Sequence, residues 1–201
     1  MEPVASNTRT NIINASLKLF AEYGYETVSV RDIASAAGIK ASSIYGHFGH
    51  KEQILTECFN FYYKYRHVTR LEKDQYIPII KSGTKEEVLQ SLLYTYSDEI
   101  LENMLYSLYI IYTRIYIDDM ARDIYADEID TSMKYLCEFF NTGIELGRFG
   151  EFNVPAVSLL LLSARMFSAH TFNLKTEQKE KWRIPESESF NEIVKIIPFE
   201  Y

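Results

Sequence analysis

Turn-forming residues are scarce in this chain: eight glycines and five prolines are spread over 201 residues, too few to punctuate a protein of short strands and tight turns. Long uninterrupted helices are the expected alternative. Cysteine is rarer still. Cys58 and Cys137 lie far apart and fit no metal or redox spacing, so packing roles in a reducing, cytoplasmic setting are expected. Long apolar runs are missing as well, because Arg114 and Arg165 interrupt the two best candidates before either reaches the roughly 18 residues of a membrane span. The opening MEPVASNTRT has no basic-then-apolar order, so no secretory leader and no membrane partner are expected. HExxH, GxSxG, a phosphate-cradling glycine loop and any cluster of His, Cys and carboxylates are all absent. His47 and His50 stand three apart but no third ligand of suitable spacing joins them. Catalysis, a metal and a cofactor are therefore not expected, and a helical enzyme is the least favoured reading.

What is present is a soluble globular composition, 47% apolar and 24% charged, with an uneven distribution of charge. Residues 1–51 carry Arg9, Lys18, Arg31, Lys40 and Lys51 against Glu2, Glu22, Glu26 and Asp32, a net of +1. The whole chain is −7, which leaves −8 for the remainder. Within the near-neutral part lies GIKASSIYGHFGHKE, Gly38–Glu52, rich in Lys, Ser, Tyr and His and free of acid until Glu52. A nucleic-acid binder keeps its acidic surface away from a polyanion, and this distribution permits that arrangement.

The local pattern is helical. From Asn7 to about Tyr23, Ile13, Leu17 and Phe20 recur at helical steps with Ile12 and Leu19 beside them, and Gly24 closes the run. Ser29-Val30-Arg31-Asp32 is a capping box that opens a second helix with a stripe of Val30, Ile33, Ala34 and Ala37. Gly38 ends it. A short third helix is anchored inward by Ile44 and Phe48, Gly49 breaks it, and a long helix is expected from Lys51 to around Thr69. Two helices joined by a tight glycine-containing turn make a helix-turn-helix. With Ile44 and Phe48 inward, Ser42, Ser43, Tyr45, Gly46 and His47 project outward, with Lys40 just ahead of them, as on a helix that enters the major groove. Further helices are expected at Thr84 to about Ile100, Glu102 to Ile117, Asp118 to about Gly147, Pro155 to about Asn173 and around Phe190 to Ile197. The fold class is all-α, with residues 1–50 as a helix-turn-helix DNA-binding domain and 51–201 as a larger helical effector-binding and dimerisation domain.

The run LFAEYGYETVSVRDIASAAGIKASSIYGHFGHKEQIL, Leu19 to Leu55, resembles the N-terminal signature of the tetracycline-repressor (TetR/AcrR) family of transcriptional regulators. LFAEYGYE, the Thr27/Ser29 start of the second helix, DIA, the AAG turn, IY, HF and KE fall in the family's order. The resemblance implies a homodimer that sets its third helices in the major groove of a palindromic double-stranded DNA operator. It implies too that a small molecule bound in the C-terminal domain releases the DNA. On that basis Arg31 and Ser43 match positions that reach bases or nearby backbone, and Tyr45, His47 and Lys51 match positions that hold phosphates. Lys40 and His50 stand where a capping residue is common, and Gly46 stands where a bulky aromatic is frequent. A mid-helix glycine costs about 1 kcal/mol relative to Ala.

Beyond residue 90 tyrosine is abundant. Tyr94, Tyr109, Tyr112 and Tyr116 are candidates for a cavity lined with aromatic faces, although for any one of them ordinary packing is the stronger reading. Arg114 stands in LYSLYIIYTRIYI, a run otherwise almost free of charge, and needs a partner there. Two readings stay open: an anchor for an anionic or carbonyl-bearing ligand, or a salt bridge to a carboxylate such as Glu99, Asp118 or Glu145, the second being favoured. Late helices dimerise in the family, and by resemblance Leu160, Leu161, Arg165, Phe167 and His170 are the expected dimer contacts. A protein-interaction module on the same scaffold, governed by a partner and not by a ligand, is the alternative.

Overall fold

A computed structural model describes residues 7–66, 70–92, 98–171, 192–193 and 195–199. The expected all-α class holds: among the described residues the only β pairing is an isolated bridge between Phe149 and Phe199. None of the described helices is long and apolar enough to cross a membrane.

The chain divides into two compact units, Met1–His67 with Ser97–Ile124, and Val68–Tyr96 with Tyr125–Tyr201. The first contains α1 (Thr8–Tyr23), α2 (Val30–Ala36), α3 (Ala41–Ile44), α4 (Lys51–Tyr65) and α7 (Asp98–Arg114). Asn7 caps α1 by accepting from the Arg9 amide. The stripe α1 buries is Ile12, Ser16, Leu17, Phe20 and Ala21, displaced from the expected one, so that Ile13 and Leu19 are only half-buried. Ser16 is tolerated inside because its hydroxyl donates to the Ile12 carbonyl at 2.7 Å. The capping box of α2 is formed as the sequence predicts, with the Ser29 side chain and the Asp32 carboxylate each bonded to the other's backbone amide. Past α2 the Ile39 amide reaches the Ala34 carbonyl and the Gly38 amide the Ser35 carbonyl, a Schellman closure. It places Gly38 at φ +69°, the left-handed region that favours glycine. In this unit α1 packs on α2, α4 and α7, α4 packs on α7, and α2 on α3. The packed unit thus extends past residue 50, because α4 and α7 supply the apolar surface that covers α1.

The second unit contains α5 (Lys73–Ser82), α6 (Lys85–Gln90), the greater part of α8 (Asp119–Glu145) and α9 (Val154–Thr171). Its core is aromatic: Tyr76, Phe139, Phe140 and Phe149 pack with Ile80, Val88, Leu89, Val154, Val157, Leu161 and Ile197. Gly143 lies against the Phe149 ring so closely that a Cβ there would stand 2.0 Å from a ring carbon. Arg148 ties the corner, its guanidinium donating to the carbonyls of Ile80 at 3.1 Å and Gly83 at 2.7 Å. Two expectations change here. The helix expected from Thr84 closes early, at Gln90, and α7 is a separate helix from Asp98. No helix was expected over 73–82, where α5 forms with Pro78 inside it; that proline is exposed, and the helix is opened by a box between Glu72 and Gln75.

Candidate nucleic-acid interface

The third helix owes its orientation to two buried anchors. Ile44 is 1% and Phe48 3% exposed, and the Phe48 amide bonds the Ile44 carbonyl at 2.8 Å, so the chain keeps a helical course through the turn after α3. With that side fixed, Lys40, Ser42, Ser43, Tyr45, Gly46 and His47 are all exposed, as is Arg31 on α2. Tyr45 presents 61% of its surface to solvent, far more than an aromatic kept for packing. Lys40 and His50 precede their helices in extended conformation and make no side-chain cap, in keeping with the departures noted in the sequence. Gly46 differs from expectation. It follows Tyr45, which closes α3, and so sits in the turn and not within the helix, where a Cβ would meet nothing closer than the Ser43 carbonyl at 3.4 Å.

Lys51, expected by resemblance at a phosphate, also serves the fold itself. Its ammonium donates to the carbonyls of Tyr25 at 2.8 Å and Val28 at 3.0 Å and lies 4.1 Å from the centre of the Tyr25 ring. Two of its three N–H groups are thus spent on fixing the loop between α1 and α2, and its place here is that of a clamp. Arg114 covers the same ring, its guanidinium carbon 4.7 Å from the centroid. Its Nη1 pairs with Glu26 at 3.3 Å, and its Nε faces Asp118 at 3.8 Å. Of the two readings of Arg114, the salt bridge is the one formed, with Asp118 among the partners named beforehand and Glu26 not. Burial first, then the nearby Glu52 carboxylate, push the Tyr25 phenol up to about 12, so it stays protonated between the two cations. Arg9 braces the other end of the unit, paired with Glu57 at 3.1 Å and set 4.9 Å from the Phe48 ring centroid.

The remaining candidates are scattered. Tyr109 and Tyr112 are half-buried on α7, within the unit that carries the helix-turn-helix, and Tyr116, past the end of that helix, is 87% exposed and lines no interior. Tyr94 lies outside the described residues. On α9, Leu160 and Phe167 are 50% and 61% exposed, as a docking face requires. Leu161 is instead buried, Arg165 turns to Glu128 at 3.5 Å, and the His170 ring meets the Met166 carbonyl. Leu159, at 54% exposure, shares the outward face and was not foreseen. Also missed was Glu128, fully buried, together with Arg70. A signal for it existed: Ala121, Ile124, Glu128, Ser132 and Phe139 recur at helical steps along the buried side of α8, and a carboxylate on such a stripe must have a cationic partner.

Residues 12–58 match the family described as bacterial regulatory proteins, tetR family. Over 68 residues the chain is 40% identical to the HTH-type transcriptional repressor KstR2 of Rhodococcus jostii, covering 31% of this chain and 33% of that protein. Over 55 residues it is 36% identical to the HTH-type transcriptional regulator AcrR of Shigella flexneri, covering 27% and 26%. These matches span about a third or less of the curated relatives' length. The ketosteroid transcriptional regulator KstR2 of Mycobacterium tuberculosis superposes with a TM-score of 0.63 at 22% identity over 98% of both chains, a likeness of fold. A regulator from Saccharomonospora viridis solved in complex with choline superposes with a TM-score of 0.61 at 20% identity, over 96% of this chain and 98% of that one. The segment that carries the helix-turn-helix is thus similar to the tetR family of bacterial regulatory proteins, and the fold of the chain agrees with that likeness.

Proposed function

We propose that this protein is a DNA-binding transcriptional regulator of the bacterial cytoplasm, a homodimeric repressor that holds a palindromic operator and is released by a small hydrophobic effector. The observation that carries the reading is the exposed row Ser42, Ser43, Tyr45 and His47, set on a turn whose other side is locked by Ile44 and Phe48. Short hydroxyls suit base edges and the first phosphates, while the phenol and imidazole reach the flanking backbone. The near-neutral charge of residues 1–51 against −8 for the rest favours approach by this end. Residues 1–50 then form the DNA-binding part and 51–201 the effector and dimer part, with α4 and α7 packed on both sides of that functional boundary.

The outward face of α9 supports self-association. Leu159, Leu160 and Phe167 form an apolar surface at least half exposed, of the kind that marks a protein contact. In a two-fold dimer the effector acts by population shift, selecting a state in which the third helices are no longer about 34 Å apart, one turn of DNA. The test is selection of random duplexes by the purified full chain at moderate salt. A palindrome with half-sites one helical turn apart is expected, and Tyr45→Ala with His47→Ala should weaken its binding. Retention of no duplex, or of sequences without symmetry, sinks the repressor reading.

A further inference from the structure

The interior of the second unit holds a charge that its surroundings leave incompletely served. Arg70 is 8% exposed in its side chain and Glu128 0%. The Arg70 Nη2 donates to Glu128 Oε1 at 3.1 Å and to Ser132 Oγ at 2.6 Å, and Ser132 Oγ donates to the same carboxylate oxygen at 2.6 Å. Arg165 Nη1 stands 3.5 Å from that oxygen too. That one carboxylate oxygen therefore meets Arg70 Nη2, Ser132 Oγ and Arg165 Nη1. The other two guanidinium nitrogens of Arg70, Nε and Nη1, are buried and have no acceptor.

A guanidinium cannot escape this by losing its proton. Each unmet charged N–H in an interior costs on the order of 1–3 kcal/mol or more. The surroundings supply apolar contact and little else: the guanidinium carbon lies 5.7 Å from the Tyr135 ring centre, and Tyr135 meets the buried Tyr76 edge-on at 6.3 Å. Arg114 also buries an Nε without a hydrogen bond, but it has two carboxylates near it, Glu26 at 3.3 Å and Asp118 at 3.8 Å, where Arg70 shares the single carboxylate of Glu128 with Arg165.

We infer that Arg70 is the anchor for the carboxylate of an amphipathic small molecule, an anionic oxygen of which takes an unmet guanidinium hydrogen and whose apolar part lies beside Tyr135 and Tyr76. The inference rests on the effector reading and gives that effector a chemical class. A carboxylate fits because it brings acceptor oxygens and one negative charge to a planar donor, and charge-assisted hydrogen bonds to guanidinium are the strong ones. Glu128, Ser132 and Arg165 are positioning residues that hold the guanidinium by its Nη2 edge.

The test is direct binding to the purified full chain by calorimetry, with octanoate and 3-phenylpropanoate as probes and octanol, 3-phenylpropanol and octylammonium as matched controls. Each carboxylate is expected to bind about tenfold or more tighter than its alcohol, the lower range for a charge-assisted contact, and octylammonium is expected not to bind. Arg70→Met should abolish the preference for acid over alcohol, Arg70→Lys should weaken it, and Arg114→Met should leave it intact. Equal affinity for acid and alcohol, absence of carboxylate binding, or full preference in Arg70→Lys and Arg70→Met overturns the anchor. The comparison of acid with alcohol uses the unaltered protein, so a variant that fails to fold cannot hide the answer. The same preparations are tested on duplex DNA. Carboxylate preference without duplex binding keeps the anchor and sinks the regulator, whereas duplex binding without preference sinks the anchor alone.

Discussion

Arg114 and Arg70 are both cations set beside aromatic rings, one in each compact unit, and they differ in the carboxylates that serve them. Arg114 lies over Tyr25 with Glu26 and Asp118 near it, and the Lys51 ammonium stands by the same ring. That cage is local bracing: it fixes the loop leading into α2, and through it the turn that presents α3. Arg70 is held firmly by one nitrogen and left without acceptors on two. The lesson is that a charge in an apolar run identifies a special place but not its use. Use is decided by whether the carboxylates on hand balance the cations: two stand by Arg114, and one is shared by Arg70 and Arg165.

The sharpest break in this comparison is removal of each arginine's carboxylate. Glu128 is fully buried, so Glu128→Ala leaves two guanidiniums facing a void and should destabilise the protein by about 3–5 kcal/mol, read as a lower urea midpoint. Glu26 is 79% exposed, and Glu26→Ala should cost at most about 1 kcal/mol in the same assay. Equal losses in the two variants would erase the distinction between core charge and surface brace.

A second contrast lies in the glycines. Gly143 accommodates the Phe149 ring, and Gly143→Ala forces that ring or α8 to move, an overpacking that should cost about 1–3 kcal/mol. Gly46, in the first unit, has room for a Cβ and no positive φ. Gly46→Ala is expected to stabilise by about 0.4–1 kcal/mol through the unfolded chain. If thermal melting moves the same way for both variants, the turn after α3 is tighter than its geometry indicates.

Much of the first unit was legible because its signals are local. The Ser29–Asp32 box, the Gly38 turn and the Ile44/Phe48 anchors each depend on residues a few positions apart, and sequence order specifies them. What sequence did not disclose depends on distance along the chain. Glu26 meets Arg114 across 88 residues, Lys51 meets Tyr25 across 26, and Arg70 meets Glu128 across 58. No periodicity within one helix names such partners, and so Arg114 stood open between a ligand anchor and a salt bridge, and neither Glu26 nor the Tyr25 ring was named beside it. On α9 the apolar residues run all the way round, which leaves no polar face to orient it, and sequence could not tell that Leu161 is buried and Arg165 faces Glu128.

The smallest expected effect tests the local end of this argument. Asp32 accepts from the Ser29 amide at 2.8 Å and hydroxyl at 2.6 Å, and those bonds hold its carboxyl below the usual 3.8. A folded-state value below the unfolded one means that the unfolded chain takes up the proton first as pH falls. The cap's contribution is therefore fully present above the unfolded value and is lost as pH drops through the folded one. Asp32→Asn should remove this part of the acid sensitivity, so that its stability relative to the original protein rises as pH falls from about 5 towards 2. Because Asp32 is exposed and belongs to the other compact unit, carboxylate binding at neutral pH should not change. A loss of carboxylate binding in this variant would mean that the entry to α2 and the interior of the second unit are energetically linked, and the two arginine neighbourhoods would then have to be treated as one system.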